Sequence, residues 1–260
     1  MEYLTAVQTD LGIKKETNQD AALIKEAITD KGNVILGVLC DGMGGLEKGE
    51  LASTAVIKAF SKWFEEVLPD ILYKELSPNI IKESWNNLVD DVNEKIETYG
   101  ANKHINLGTT LVCVLLIEGK YYVYNIGDSR AYLLSNHISQ LTHDHTYVQM
   151  ELDAGRMTRE EMEVDEKRNI LLQCIGVSKT IQPDFFVGEC FDNSVFLLCS
   201  DGFRHKISDE EIYENLNAGC IIDEQKGNQA LRYLIKVIKD RDEQDNITAV
   251  LIKILGDKNA

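Results

Sequence analysis

Four apolar runs of this chain meet an aspartate at one end, and that arrangement limits the folds it can take. Val38-Leu39-Cys40 runs into Asp41-Gly42, Leu197-Leu198-Cys199-Ser200 into Asp201-Gly202, and Tyr124-Asn125-Ile126-Gly127 into Asp128. Asp245-Asn246 directly precedes Ile247-Thr248-Ala249-Val250-Leu251. Short apolar runs of this kind read as buried strands, so a central sheet delivers these carboxylates to one rim. Any one of them, taken singly, reads as a turn or a helix cap, because Asp-Gly is a common hairpin turn. Taken together they carry a cost. Two carboxylates about 4 Å apart repel by about 1 kcal/mol in water and about 4 kcal/mol at an effective dielectric of about 20. A rim that gathers them protonates some or holds a cation. Carboxylate, carbonyl and water ligands suit Mg2+ or Mn2+. Only His205 lies close to these aspartates in sequence, which disfavours zinc. In Asp41-Gly42-Met43-Gly44-Gly45 the glycines allow close backbone approach, which opens the Gly42 carbonyl as a further ligand.

The 260 residues suffice for one large domain or two small ones. No Gly/Ser/Pro-rich linker and no internal repeat divides them, so the expectation is one domain, 1–256, with a short tail at 257–260. Strands are expected at Leu4–Gln8, Ala21–Ile28 and Val34–Cys40. A helix from about Leu46 to Leu68 stops at Pro69, and a second starts at the cap Ser77 with Pro78 and runs to about Thr98. Thr109–Ile117, Tyr121–Ile126 and Ala131–Leu134 read as a meander of hairpins. The polar stretch His145–Glu163 has helical spacing. Strands at Asp184–Cys190, Val195–Cys199 and Ile247–Ile254 enclose helices at Glu210–Leu216 and Asn228–Lys239. The pattern is that of an α+β protein with antiparallel sheets covered by helices.

Composition excludes several classes. With 43 Asp plus Glu against 27 Lys plus Arg the net charge is −16, and no basic run exceeds two residues. Neither a phosphate backbone nor an anionic membrane surface suits such a chain. The start Met1-Glu2-Tyr3-Leu4-Thr5 has no signal-peptide pattern, and no apolar stretch approaches bilayer length. Six cysteines (40, 113, 174, 190, 199 and 220) show no Cys-x-x-Cys spacing and read as reduced thiols of a cytoplasmic protein.

The ordered motifs resemble the metal-dependent protein phosphatase family, type 2C, in its compact bacterial form. They run from Thr9-Asp10-x-Gly12 and Thr17-Asn18-Gln19-Asp20 through Asp41-Gly42-Met43-Gly44-Gly45, Gly108-Thr109-Thr110-Leu111 and Gly127-Asp128-Ser129-Arg130-Ala131-Tyr132. Leu141-Thr142-x-Asp144-His145, Arg168-Asn169-Ile170-Leu171, Cys199-Ser200-Asp201-Gly202 and Asp245-Asn246-Ile247-Thr248 follow in the family's order, so the similarity spans about residues 3–254. The resemblance implies a four-layer α/β/β/α sandwich, two antiparallel sheets flanked by helix pairs. It implies two Mg2+ or Mn2+ ions in a cleft at one sheet edge. Asp41 would bridge them, the Gly42 carbonyl and Asp20 would hold one, and Asp201 and Asp245 the other. Asp128 with Asp201 would match a third, weaker site. Residues 143–168 would form a flap beside the cleft. The implied reaction is hydrolysis of phosphoserine and phosphothreonine in proteins by a metal-activated water, with Asp41, Asp201 and Asp245 catalytic. Phosphoprotein substrates and an opposing Ser/Thr kinase are the expected partners of a cytoplasmic monomer that binds neither nucleic acid nor membrane.

Three departures from the family pattern stand out. Lys15 falls where the family places a phosphate-binding Arg; it offers a point charge in place of a bidentate fork, and Lys14 beside it could share the task. Met43 stands where animal relatives carry a His proposed as general acid, and Met donates no proton. Val164-Asp165-Glu166 replaces a frequent His-Pro in the flap. His143 and His145 read as polar flap residues, Arg130 as internally paired, Gly108-Thr109-Thr110 and Ser129 as structural, and Trp63 and Trp85 as core. Two competing readings are a phosphatase-like interaction module, which Lys15 would favour, and a metal phosphatase for a small phosphoester or one dedicated partner.

Overall fold

A computed structural model describes residues 1–43 and 48–256. Gly44 and Gly45 of the glycine motif, the helix start expected at Leu46 and the tail 257–260 lie outside the described residues. The chain forms β1 (Glu2–Asp10), β2 (Ala21–Thr29) and β3 (Gly32–Cys40), then α1 (Gly49–Glu66), α2 (Leu68–Lys74) and α3 (Pro78–Lys103). Strands β4 (Leu111–Ile117), β5 (Lys120–Ile126), β6 (Arg130–Leu134) and β7 (Ile138–Gln140) come next, followed by the short helices α4 (Tyr147–Asp153) and α5 (Arg159–Val164). The remainder is β8 (Asp184–Glu189), β9 (Val195–Cys199), α6 (Asp201–Arg204), α7 (Asp209–Leu216), α8 (Glu224–Asp240) and β10 (Ile247–Leu255).

Two five-stranded antiparallel sheets result, ordered β1-β10-β9-β6-β7 and β2-β3-β4-β5-β8. Three apolar layers follow from the strand period of two. Ile35, Leu39, Val112, Phe196, Leu198, Val250 and Ile252 pack between the sheets. Val34, Leu36, Val38, Trp63, Trp85 and Tyr124 belong to the core under α1–α3. Cys199, Phe203, Leu231, Leu234, Ala249 and Leu251 belong to that under α6–α8. This is the expected α/β/β/α sandwich. Because α1–α3 and α6–α8 each cover one sheet, the central strands are buried on both faces, and β3, β4 and β9 read as unbroken apolar runs.

Two local expectations are corrected. Pro69 does not end the helical region; it occupies the first turn of α2, where its missing N–H costs nothing. The hairpin meander is split. β4 and β5 pair in one sheet, whereas β6 pairs with β9 and β7 in the other, so the chain changes layers at residues 127–129. Lys253, buried on β10, donates from Nζ to the Ala218 and Ile221 carbonyls, both at 2.8 Å, and so ties the closing strand to the α7–α8 connection. All six cysteines are free thiols.

Trp85 centres the core under α3: it is fully buried and meets Trp63 and Tyr124 edge-on at 5.5 and 5.6 Å. Trp85→Ala should lower the unfolding free energy by about 3–5 kcal/mol in a urea titration; a loss below about 1 kcal/mol would contradict this core assignment.

Candidate metal centre

Backbone pairing brings the aspartates together. In the β2–β3 ladder Ala21 stands opposite Cys40, so Asp20 and Asp41 emerge side by side at the end of one sheet. In the other sheet Ala249 stands opposite Cys199, which brings Asp201 and the residues preceding β10, Asp245 among them, to the same end. Asp128 lies on the crossover between β5 and β6 and so between the two groups.

Each carboxylate is fixed from behind. The Asp41 N–H donates to Thr110 Oγ1 at 3.0 Å, and its carbonyl accepts from the Thr110 N–H and Thr109 Oγ1, both at 2.9 Å. Ser129 Oγ meets Thr110 Oγ1 at 2.7 Å. The structural reading of these residues therefore holds, and their task is to hold Asp41. The Gly42 N–H donates to the Gln19 carbonyl at 3.1 Å, and a Cβ at Gly42 would stand 2.6 Å from that oxygen. No other residue fits there without moving the Asp20 loop. Asn246 clamps the same loop. Its Oδ1 accepts from the Gln19 N–H at 2.9 Å, and its Nδ2 donates to the Leu11 and Thr17 carbonyls. Gly12, at φ 76°, passes so close to the Asp245 carbonyl that a Cβ would lie 2.0 Å from it.

The electrostatics are those of a row of anions short of counter-charge. Among the described residues, both Asp20 carboxylate oxygens and Asp201 Oδ1 are buried without a hydrogen-bond partner. Buried orphan carboxylate oxygens are costly and call for a proton or a cation. Burial pushes Asp20 up to about 7 and Asp128 up to about 6. Asp41 lies well above the usual carboxylate range, first through burial and then through the charges of Asp20, Asp201, Asp128 and Asp245. Lys15 Nζ stands 2.7 Å from Asp245 Oδ1, and Lys14 Nζ reaches Gln244 Oε1 at 3.3 Å. Among the described residues no three His, Cys, Asp or Glu side chains already close into a cage around one point. Lys15 engages one of the rim carboxylates. The donor set of hard oxygens, several of them unsatisfied, fits a hard divalent cation.

Some functional neighbours escaped the sequence reading. Glu243 is buried beside the cluster; its Oε1 accepts the Gln244 and Asp245 N–H groups at 2.8 and 3.0 Å, and its Oε2 lies 3.6 Å from His205 Nδ1. Nothing in its sequence position announces that role. Asn246 stood inside a recognised motif but without an assigned task. His145 is not a polar flap residue: it is buried, its Nδ1 accepts the Gly127 N–H at 3.1 Å, and its Nε2 lies 3.2 Å from Asp184. His143 is half exposed and pairs with Asp153 at 2.8 Å. Arg130 is paired internally, with Asp144.

A carboxyl whose native value is raised stabilises the metal-free fold while it stays protonated, and that contribution fades as pH climbs from the unfolded value toward the native one. Measured in EDTA against Asp20→Asn, the wild-type protein should therefore lose stability between about pH 4 and pH 7. Thermal unfolding across that range checks this; parallel curves for the two proteins would refute it.

The family model described as protein phosphatase 2C matches residues 12–231. The serine/threonine phosphatase stp of Listeria monocytogenes is 30% identical over 250 residues, covering 95% of this chain and 94% of that protein. The crystal structure of the serine/threonine phosphatase Stp1 from Staphylococcus aureus superposes with a TM-score of 0.82 at 32% identity, covering 98% of this chain and 96% of that one. The catalytic domain of the serine/threonine protein phosphatase PstP, solved with two manganese ions, superposes with a TM-score of 0.78 at 28% identity, covering 98% and 99%. With its two-sheet sandwich and its rim of aspartates in the expected order, the chain belongs to the protein phosphatase 2C family.

Proposed function

We propose that this chain hydrolyses phosphoserine and phosphothreonine esters in proteins at a two-ion site built by Asp20, Asp41, Asp201, Asp245 and the Gly42 carbonyl. The observation that carries the reading is that, in this row of aspartates, both Asp20 oxygens and Asp201 Oδ1 are buried without a partner. Bound there, Mg2+ or Mn2+ supplies an acidified water as nucleophile and positive charge for the phosphate oxygens. Asp41 feels the charge of every other rim carboxylate and is the residue to share between two ions. Asp20 and Gly42 stand beside it on the sheet of β2 and β3, and Asp201 and Asp245 face it from the sheet of β9 and β10. The hydrogen bonds from Thr109, Thr110 and Asn246 hold these groups before substrate arrives, which is where positioning catalysis draws its strength.

Lys15 is the phosphate-binding residue in this reading, since its ammonium lies at the rim, within reach of both Asp245 and an incoming anion. Met43 donates no proton, so protonation of the departing serine or threonine oxygen falls to water or another group. The unit acts as a single domain of residues 1–256, with residues 143–168 as the flap bordering the cleft. It opposes a Ser/Thr kinase and works as a cytoplasmic monomer. Among the described residues no helix is long and apolar enough to cross a membrane.

Hydrolysis of a phosphothreonine peptide should require Mn2+ or Mg2+ and vanish in EDTA. Asp41→Asn should fall at least about 100-fold in rate with its circular dichroism unchanged, since even residues that merely support metal ligands cost about 10–100-fold when removed. Turnover in EDTA, or a wild-type rate in Asp41→Asn, would sink the reading. Manganese-dependent hydrolysis of small phosphoesters with none of the peptide would shift the substrate class instead. A second measurement concerns Lys15: Lys15→Arg should lower KM more than it changes kcat, because a guanidinium binds phosphate bidentately. An unchanged KM would remove Lys15 from the phosphate site.

A further inference from the structure

Asp128 differs from the other rim carboxylates in what stands behind it. A buried cluster of two cations and two carboxylates fills the space where the chain crosses between sheets. Arg130 Nε lies 2.9 and 3.2 Å from the two oxygens of Asp144, and its Nη2 lies 2.7 Å from Oδ2. Arg130 Nη1 donates to the Tyr132 hydroxyl at 2.9 Å, so this guanidinium is committed. Arg204, the last residue of α6, reaches the same Asp144 carboxylate at 3.4 Å. Its Nη2 also donates to the Asp128 carbonyl and to Asp128 Oδ2, both at 3.3 Å. Only 14% of the Arg204 side chain and 8% of the Asp128 side chain are exposed.

Two arginines and two aspartates leave this cluster neutral, in contrast to the row formed by Asp20, Asp41 and Asp201. A divalent ion on Asp128 would need oxygen distances of about 2.0–2.6 Å, and so would sit against a guanidinium of the same sign in a site with little solvent to screen the repulsion. Arg204 cannot withdraw without also leaving Asp144 and the Asp128 carbonyl. Its helix starts at Asp201, so the same contact fixes the helix that presents a rim ligand.

We propose that the Arg204 guanidinium takes the place of a third cation at Asp128, so that this chain assembles two divalent ions rather than three. Asp128 is then a positioning residue: it holds Arg204, and through α6 it holds Asp201. The inference rests on the two-ion reading above, and manganese counting separates the two.

Titration of the metal-stripped protein with Mn2+, followed by calorimetry and by the paramagnetic resonance signal of free manganese, should give two ions per chain. Asp128→Asn should still bind two. Arg204→Gln, which keeps a polar side chain but drops the charge, should gain a third and weakest ion, and Arg204→Gln/Asp128→Asn should return to two. A third ion in the wild type that disappears in Asp128→Asn would overturn the inference and leave the two-ion reading standing. Two ions in a folded Arg204→Gln protein would also overturn it. Should Arg204→Gln fail to fold, the wild-type and Asp128→Asn counts decide. Fewer than two ions in the wild type would overturn the two-ion reading, and this inference with it.

Discussion

Repulsion among the carboxylates at the sandwich edge is the constraint on which the remaining arrangement depends. Asp20 and Asp41 come from one sheet, Asp201 and Asp245 from the other. Their separation is therefore set by how the two sheets pack, through residues such as Leu39, Val112, Leu198 and Val250. A dense apolar interior deforms little, so it holds the anions at a fixed spacing that they would not choose alone. The helices outside the sheets contribute indirectly: by covering the outer faces they allow the central strands β3, β4 and β9 to be apolar on both sides.

A second tier of neutral hydrogen bonds keeps the row in register. Thr109, Thr110 and Ser129 hold the backbone of Asp41, while Asn246 binds three backbone groups of the residue 11–19 loop at once. These contacts link residues far apart in sequence, and each satisfies a buried polar group that would otherwise be orphaned. Glu243 adds a charged link, accepting from the Asp245 N–H while its other oxygen faces the His205 ring at 3.6 Å. The rim is thus held largely through its backbone, and among the described residues the Asp20 oxygens and Asp201 Oδ1 are left without partners.

What the sequence disclosed follows this division. Strand existence was legible because runs such as Val34–Cys40 and Val195–Cys199 are apolar without interruption, and the rim was legible because an aspartate follows or precedes each run. Pairing was not. Nothing local to Tyr121–Leu134 shows that its two strands belong to different sheets; that follows from β6 finding β9, some sixty residues later. Pro69 was misread because a proline that stops one helix and one that starts the next look alike until Leu68–Lys74 is seen to pack. His145 and Glu243 are polar by type and buried by context, and burial of a polar residue depends on a partner that only the tertiary structure supplies.

Counter-charge is spread unevenly over these carboxylates. Lys15 compensates Asp245, and Arg204 compensates Asp128. Asp20, Asp41 and Asp201 have no Lys or Arg partner and keep their negative charge or must take up protons; among the described residues the orphaned oxygens are those of Asp20 and Asp201. Five carboxylates against two protein cations leave three negative charges; two divalent ions bound there would turn that to one net positive charge. A protein of net charge −16 can in this way present a locally positive cleft to a phosphate dianion. The same reckoning shows why the two protein cations matter. Without Lys15 and Arg204 the two ions would be spent on neutralising the row, and no positive field would remain for the substrate.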